Sequence, residues 1–370
     1  MNKKQIISTI LLLFALTLSL QSCSRPVGTA PHPWPPSTFD NVGMPLELSQ
    51  DTPHGYLALQ HLAYINDHLY GRVPFTYREK EAAVWLVNML LAMGYTWEDI
   101  QIQEFSEVFD ETVWIYRYGL QQRDYSQNVI LTVPGQGDRV IVVGAHYDSF
   151  PYPGAADNAS GMALLLESAQ RMRQMDNYHT IVYIFFGSEE VQILGAENYV
   201  DELSAADLDD ILFMVSADSL FLGPYFLYST GFTENARSDM NAITAAWDDI
   251  ASTIYSLHEI ELIAYPDGAK WIGSDHLRFY SADIPVVVFI GLDRSIYDDS
   301  PWGFGERIIH HSPLDCLHYF NEIWPGRVDR ALMGYSLFLE GILLRQYCNT
   351  GNQFSERSTS PSREAPQHNP

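Results

Sequence analysis

Two uninterrupted apolar runs, each followed closely by histidine or acidic side chains, constrain the fold of this chain most strongly. Residues 140–143 are Val-Ile-Val-Val and lead to His146, and residues 180–186 are Thr-Ile-Val-Tyr-Ile-Phe-Phe and lead to Glu189 and Glu190. Runs without polar alternation are typical of strands that are covered on both faces of an α/β sheet. Because ligands of such sheets collect beyond the carboxyl ends of the strands, the pattern predicts a polar site there.

The rest of the chain supplies further strands and helices. Apolar runs predict strands at residues 100–105, 112–118, 128–133, 211–215 and 284–290, and apolar residues at helical spacing predict helices at residues 55–70, 77–93, 158–174 and 328–347. Two helices therefore precede the sheet, and others alternate with its strands. This alternation is typical of the α/β class.

The polar residues that follow the two apolar runs are of types that bind metals. His146 and Asp148 are two residues apart, so the histidine can bind a metal through one ring nitrogen while the carboxylate orients it. Asp157 and Asn158 open the next helix, but the same pair is also an ordinary helix cap, which leaves a purely structural role open. Glu189 and Glu190, as neighbours on a tight loop, point in different directions, so that one can bind metal while the other transfers protons.

Composition and charge exclude one class of partner. The chain has 370 residues, of which 46% are hydrophobic, so it can bury the core of one catalytic domain of about 300 residues. Its 46 acidic residues against 21 basic ones give a formal charge of −25. With no basic stripe to bind phosphates, we expect no nucleic-acid partner. The oligomeric state stays open.

The first 22 residues have the pattern of an export signal. Lys3 and Lys4 precede an apolar run at residues 6–20 that is short for a stable membrane span, and Leu-Gln-Ser-Cys follows at residues 20–23. This resembles a bacterial lipoprotein cleavage box, in which Cys23 receives the lipid anchor. The alternative is an ordinary cleaved signal with an incidental cysteine. Ser24 after the cysteine, by resemblance to bacterial lipoproteins, favours the outer membrane, with the protein facing the periplasm or the exterior of the cell envelope.

Composition also divides the remainder of the chain. Residues 23–53 are rich in proline and form a tether, residues 54–348 form the catalytic domain, and residues 349–370 are polar and expected to be disordered. Cys316 and Cys348 are not spaced as a zinc site, and whether they form a disulfide stays open.

Six polar features occur in an order that is known from one family. They are HYDS at 146–149, ADNASG at 156–161, SEE at 188–190, Asp218 at the end of a strand, SDHLRF at 274–279 and HHSPLD at 310–315. Together they resemble the co-catalytic di-zinc aminopeptidases, a family of zinc exopeptidases that includes glutaminyl cyclases, and the agreement extends over residues 55–347. The resemblance implies a single-domain three-layer sandwich. Its twisted, mixed but mainly parallel sheet would be covered by helices on both faces, with the zinc site at the carboxyl ends of the central strands.

The resemblance also implies two zinc ions per chain. Asp157 would bridge them, Glu190 and His311 would complete one metal position, and His146 and Asp218 would complete the other. Two imidazoles and three carboxylates leave positions open for water, which is the pattern of a catalytic zinc site.

The catalytic roles follow from the same resemblance. Glu189 matches the general base, Asp148 matches the acid that supports the first histidine, and Asp315 lies where a carboxylate outside the ligand shell is expected. His310 leaves a choice of register, and the His-Ser-Pro-Leu-Asp spacing favours His311 as the ligand. The predicted reaction is hydrolysis of the N-terminal residue from peptides with a free N-terminus, by a zinc-activated water whose proton Glu189 accepts.

Two alternatives remain. A glutaminyl-peptide cyclotransferase of the same fold would use Glu189 as a proton shuttle and would give Asp275 a catalytic role, but cyclases carry a tryptophan where this chain has His310. A non-catalytic, receptor-like domain of this fold would be expected to have lost ligands, whereas all five ligands and the base are present.

Overall fold

The computed structural model describes residues 47–49, 51–106, 123–232, 237–270, 272–292 and 308–347. Eight strands of this part of the chain form one sheet in the order β1-β2-β4-β3-β5-β8-β6-β7. The strands are β1 (Ile100–Phe105), β2 (Ser126–Val133), β3 (Val140–His146), β4 (Thr180–Phe186), β5 (Ile211–Ala217), β6 (Tyr225–Gly231), β7 (Leu262–Tyr265) and β8 (Val286–Leu292).

The centre of the sheet is parallel and its flanks are mixed. Strands β4, β3, β5 and β8 run parallel to one another, whereas β2 pairs antiparallel with β4 and β6 pairs antiparallel with β8. In this register His146 lies beside Phe186, and Gly144 lies beside Ser216. The carboxyl ends of β3, β4 and β5 therefore meet at one end of the sheet.

Nine helices of the described residues surround the sheet. They are α1 (Tyr56–His68), α2 (Tyr77–Ala92), α3 (Ser160–Met172), α4 (Leu194–Glu202), α5 (Ala205–Asp210), α6 (Arg237–His258), α7 (His276–Ser281), α8 (Leu317–Ile323) and α9 (Arg327–Leu343). None of them is both long enough and apolar enough to cross a membrane.

Alternate residues of the central strands pack against different helices. Val143 belongs to the core that includes α1, α2, α3, α6 and α9, whereas Val142 belongs to the core that includes Phe279 of α7 and Ala196 of α4. Because successive side chains of a strand point to opposite faces, a run such as Val-Ile-Val-Val fills both cores. The predicted three-layer α/β fold is confirmed.

Helix α3 lies deepest, because every one of its residues is buried. Its Glu167 carboxylate accepts hydrogen bonds from the backbone N–H groups of Gly55 and Ala58 at 2.9 and 2.7 Å, which caps the start of α1. Gly55 has a φ of 79°, and a Cβ there would lie 2.5 Å from the backbone nitrogen of Met333, so only glycine fits. Since α3 begins at Ser160, three residues after Asp157, this packing helps to fix that residue relative to the sheet.

Several expectations about individual elements need correction. The strand expected at residues 284–290 is β8, which starts and ends two residues later. The N–H of Ile284 closes the end of α7 on the carbonyl of Phe279, and Pro285 has no N–H for the ladder. The helix expected from residue 158 is preceded by a distorted turn at Ala155–Ala159. The strand expected at residues 112–118 lies outside the described residues.

Candidate metal centre

The first group of metal-binding side chains comes from the ends of β3 and β5. His146 is the last residue of β3, and Asp218 follows β5 directly. The His146 Nε2 atom lies 3.2 Å from Asp157 Oδ1 and 3.7 Å from Asp218 Oδ1. All three residues are buried, and their donor atoms lie within 4.8 Å of one another. The structure therefore brings three of the predicted ligands together.

The second group lies on the other side of Asp157. His311 Nε2 is 3.0 Å from Asp157 Oδ2 and 3.1 Å from Glu190 Oε2. His310 Nε2 is also within 2.9 Å of Asp157 Oδ2. The two oxygens of Asp157 therefore face two different groups of donors, as a carboxylate that bridges two metal ions does.

Asp157 is held in place through its backbone. The Asp315 carboxylate accepts hydrogen bonds from the N–H groups of Ala156 and Asp157 at 2.6 and 3.0 Å. The side chain of Asn158 donates to the carbonyl of Ala217 at 2.8 Å and accepts from the N–H of Gly161. The Asp157–Asn158 peptide bond is cis. These contacts tie the turn to β5 on one side and to the segment after His311 on the other.

Asp148 joins the ends of β3 and β4. Its carboxylate oxygens accept the backbone N–H groups of Glu189 and Glu190, both at 3.0 Å. On its other side, His146 Nδ1 lies 3.2 Å from the carbonyl oxygen of Asp148 and 3.6 Å from its Oδ1. When the proton of the His146 ring is on Nδ1, the lone pair of Nε2 points towards Asp157. This tautomer is the one that can bind a metal through Nε2.

The adjacent glutamates face different groups. Glu189 Oε2 lies 4.0 Å from His146 Nε2, whereas Glu190 Oε2 points at His311. Burial raises the pKa of Glu189 well above its usual range, and the charge of Asp275 adds to this shift against the opposing effect of His146. Burial also raises the pKa of Glu190 to about 7. The two acids thus occupy separate places in one acidic cluster.

The donor set fits a pair of divalent cations. Imidazole nitrogens and carboxylate oxygens are the ligands of catalytic zinc sites. The Oδ1 atom of Asp218 is buried and has no hydrogen-bond partner among the described residues. A buried oxygen without a hydrogen-bond partner lowers the stability of the folded protein by about 1–3 kcal/mol, and a bound cation removes this penalty. Closely spaced buried carboxylates repel one another, which a cation also relieves.

Residues 128–333 match the family model described as Peptidase family M28, which covers more than half of the chain. This chain belongs to peptidase family M28. The resemblance inferred from the motifs is thereby confirmed.

Curated relatives of this M28 chain include two bacterial proteins. Aminopeptidase YwaD of Bacillus subtilis is 27% identical over 188 residues, which are 50% of this chain and 37% of YwaD. The probable lipoprotein aminopeptidase LpqL of Mycobacterium tuberculosis is 37% identical over 98 residues, which are 26% of this chain and 20% of LpqL. The matched segments thus span well under half of the length of both relatives.

Solved structures share the fold of this M28 chain. The zinc aminopeptidase BSAP from Bacillus subtilis superposes with a TM-score of 0.60 at 18% identity and covers 78% of this chain and 95% of its own. Glutaminyl cyclase from Tannerella forsythia superposes with a TM-score of 0.57 at 18% identity and covers 79% of this chain and 99% of its own. Both enzyme types therefore occur on this fold.

The M28 chain also contains a buried arginine that sequence reasoning missed. Arg72 has no exposed surface, and its guanidinium donates to the backbone carbonyls of Tyr147, Pro153 and Gly154. Burial lowers its pKa to about 10, which leaves it cationic at neutral pH. Arg72 braces the segment between His146 and Asp157. No pattern marks it in the sequence, because its partners are backbone carbonyl groups. One of them, Leu69, is three residues away, and the other three lie more than 70 residues further along the chain.

A small pocket opens beside the second donor group. Its lining comprises Phe150, Tyr152, Gly154, Asp157, Glu190, His311, Ser312 and Asp315. The ring of Phe150 stacks on His311 with their centroids 4.0 Å apart. The candidate metal centre of this M28 chain is therefore reached through a partly aromatic cavity.

Proposed function

We propose that this chain is a metal-dependent aminopeptidase that uses two zinc ions to hydrolyse N-terminal residues from peptides. One observation carries the proposal: Asp157 presents Oδ1 to His146 and Oδ2 to His311, at 3.2 and 3.0 Å. A carboxylate between two sets of nitrogen and oxygen donors is what a two-metal hydrolase requires. The names of YwaD and BSAP as aminopeptidases support the same reaction.

Each ligand has a place in this proposal. Asp157 bridges the two positions, with His146 and Asp218 on one side and Glu190 and His311 on the other. When bound, the zinc pair lowers the pKa of water and polarises the peptide carbonyl group. The arrangement of the five side chains leaves the carboxylate of Glu189 outside both groups.

Glu189 is the proposed general base. Its Oε2 lies 4.0 Å from His146 Nε2, close to the metal ligands, and its side chain is 13% exposed, so it can reach a water in the cleft. Its raised pKa brings the carboxylate nearer to the pH at which proton transfer in both directions is efficient. Glu189 accepts the proton of the attacking water and returns it to the leaving amine.

Asp148 is the proposed orienting residue. It accepts the backbone N–H groups of both Glu189 and Glu190, and its carbonyl oxygen contacts His146. One residue, through its carboxylate and its backbone carbonyl group, thereby orients the proposed base and two proposed ligands. Asp148 contacts no substrate in this proposal, since it is completely buried.

The proposed substrates are peptides with a free N-terminus. In this proposal an acidic side chain of the cleft that is not a metal ligand holds the α-ammonium group, which places the first peptide bond of a chain at the site. The formal charge of −25 of the whole chain disfavours polyanions such as nucleic acids.

Glutaminyl cyclase activity is the second candidate function. The observation that favours it is Asp275, which is completely buried, makes no hydrogen bond through its carboxylate within the described residues, and raises the pKa of Glu189. Two neighbouring buried acids of this kind suit a proton shuttle. The similarity in fold to the Tannerella forsythia enzyme agrees with this candidate.

One experiment separates the two activities. The purified protein is incubated with aminoacyl anilides and, separately, with a peptide that begins with glutamine. Release of the aromatic amine, abolished by a chelator and restored by zinc, is the expected result. Formation of pyroglutamate and ammonia without release of amine would overturn the peptidase proposal in favour of the cyclase. The Glu189→Gln variant, purified identically, controls for contaminating peptidases.

We further propose that Cys23 is lipidated and holds the protein in the bacterial cell envelope, in the outer membrane. The support is the Leu-Gln-Ser-Cys sequence at residues 20–23 and the description of LpqL as a probable lipoprotein.

A further inference from the structure

His310 has a position that the five-ligand set does not explain. Its Nε2 atom lies 2.9 Å from Asp157 Oδ2, and the Nε2 atom of His311 lies 3.0 Å from the same oxygen. The two imidazole rings stack with centroids 3.7 Å apart and an interplanar angle of 26°. Two neighbouring histidines therefore direct the same ring atom at one carboxylate oxygen.

The backbone makes this convergence possible. Consecutive residues of an extended chain point to opposite sides, so adjacent histidines normally diverge. His311 instead has a φ of 54°, in the left-handed region that residues with a β-carbon rarely adopt. This turn directs both rings to the same side of the chain. The loop is thus shaped to present two imidazoles to one point.

The spacing of the donor atoms matches a metal position. Donor atoms of Asp157, His310 and His311 all lie within 4.8 Å of one another. Around a tetrahedral zinc with bonds of about 2.0–2.2 Å, donor atoms lie about 3.4 Å apart. The separations of 2.9 and 3.0 Å from the shared oxygen are somewhat shorter than that value. Metal binding therefore requires the rings to move outward and to rotate out of their stacked arrangement until both Nε2 lone pairs point at one ion.

We propose that His310 is a ligand of the same metal ion as His311, an inference that rests on the proposed two-metal function. That position then has four protein donors, from Asp157, Glu190, His310 and His311. Four protein donors are the number found in closed zinc sites, whereas catalytic positions have three and an open place. The two metal positions of this chain are therefore unequal.

Because the position of His310 and His311 would have four protein donors, the metal position with an open coordination place is the one on the other side of Asp157. The position formed by His146, Asp157 and Asp218 has three protein donors, which leaves room for a water or a substrate group. Glu189, the proposed base, lies on that side, with its Oε2 atom 4.0 Å from His146 Nε2. His310 thus determines which of the two ions is held by the larger number of protein donors.

The competing role for His310 is a hydrogen bond to Asp157 without metal ligation. Two substitutions distinguish these roles. His310→Ala removes both the ligand and the hydrogen bond, whereas His310→Gln keeps an N–H donor but supplies a poor zinc ligand. His318→Ala is the matched control, because the side chain of His318 is 58% exposed on α8 and pairs with Glu322.

The test measures zinc binding by the purified full-length protein in competition with a chelator. Loss of a residue outside the ligand shell typically weakens metal affinity by about 10- to 100-fold. We therefore expect both His310 variants to bind one of the two zinc ions at least about 100-fold more weakly and the other ion normally. His318→Ala should bind both ions as the parent does. Thermal unfolding of the metal-free proteins shows that all variants are folded.

A crystal structure of the zinc-loaded parent supplies the second readout. The proposal predicts a bond of about 2.0–2.1 Å between His310 Nε2 and the ion that His311 also binds. It is overturned if His310 remains beyond about 3 Å from that ion, or if His310→Gln binds both zinc ions with parental affinity. In either case a parent with two bound ions keeps the proposed function intact, whereas a parent that binds no zinc overturns both proposals.

Discussion

Glu189 and Glu190 are the same residue type at adjacent positions, and only their surroundings distinguish them. The Asp148 carboxylate accepts hydrogen bonds from the backbone N–H groups of both glutamates. Their backbone is therefore fixed, while their side chains point in different directions. Glu190 meets His311 at 3.1 Å, and Glu189 faces His146 at 4.0 Å. The proposed division into ligand and base follows from these distances.

Substitution of each glutamate by glutamine tests this division. Glu190→Gln should lose zinc and activity together, because an amide oxygen is a much poorer ligand than a carboxylate. Glu189→Gln should keep both ions and near-normal substrate binding, with kcat lowered by about 10²- to 10⁴-fold, since only proton transfer is removed. Zinc analysis and steady-state kinetics of both variants check the prediction. Nearly full turnover by Glu189→Gln with both ions bound would leave the mechanism without a base.

Asp315 offers a second test at the level of a single residue. Its carboxylate holds the N–H groups of Ala156 and Asp157, so Asp315→Ala should let the bridging residue move. We expect zinc affinity to fall by about 10- to 100-fold, as for other residues outside the ligand shell. Competition with a chelator measures the effect. Glu322→Ala, which removes a carboxylate that is 56% exposed, should leave affinity unchanged; equal affinities for both variants would contradict the account.

The positions of several candidate site residues could be predicted from the sequence because they follow strands with clear apolar runs, whereas their roles as proposed metal ligands came from the family resemblance. His146 and Asp218 are of this kind. Arg72 could not be predicted, since a buried arginine that donates only to backbone carbonyls leaves no mark in a sequence. The convergence of His310 and His311 also escaped prediction, because it depends on the left-handed backbone at His311.

Among the elements, β7 and α6 were missed for different reasons. Strand β7 has four residues of which three are only partly buried, so no apolar pattern separates it from a loop. Helix α6 does carry a helical repeat, with Met240, Ile243, Trp247 and Ile254 all buried. Its periodicity was therefore available in the sequence. The place of β7 beside β6, however, is set by strand pairing that the sequence does not reveal.

Helix α3 contains a buried carboxylate whose contribution to stability can be tested. The Glu167 carboxylate is completely buried and accepts hydrogen bonds from Gly55, Ala58, Ser336 and Arg171. Glu167→Ala leaves these donors unsatisfied and Arg171 without its acidic partner. Breaking a buried ion pair by removing one partner costs about 3–5 kcal/mol, so a loss of this size in the free energy of unfolding is expected.

Glu197→Ala is the matched control for Glu167→Ala. Glu197 pairs with Arg278 at 2.8 Å, but both side chains are more than a third exposed, and such pairs contribute about 0–1 kcal/mol. Urea unfolding of both variants measures the two free energies. Similar losses for Glu167→Ala and Glu197→Ala would show that the Glu167 contacts do not anchor α1 to α3.

For the whole molecule, the sequence predicted the α/β class and the three layers because the buried runs fill two cores at once. Val142 and Val143 illustrate this, since they pack on opposite faces of β3. The mixed flanks were not predicted in detail, because the order β8-β6-β7 depends on which edges remain free after the parallel centre has formed.

Attachment of the whole protein to a membrane depends on Cys23 in our proposal. Cys23→Ala should remove the anchor and shift the protein from the membrane fraction to the soluble fraction, because no other lipid site is proposed. Ser24→Ala keeps the cysteine and should remain in the membrane fraction. Fractionation of cells that produce each variant checks the prediction, and unchanged membrane association of Cys23→Ala would contradict the anchor.

The zinc content of the purified protein tests the central claim most directly. Asp157 faces both donor groups, so the account predicts two zinc ions per chain in the active protein, and removal of both ions by a chelator should abolish activity. Elemental analysis of the active preparation, before and after treatment with the chelator, gives the number. A fully active protein with a single zinc ion, or with none, would contradict the two-metal centre.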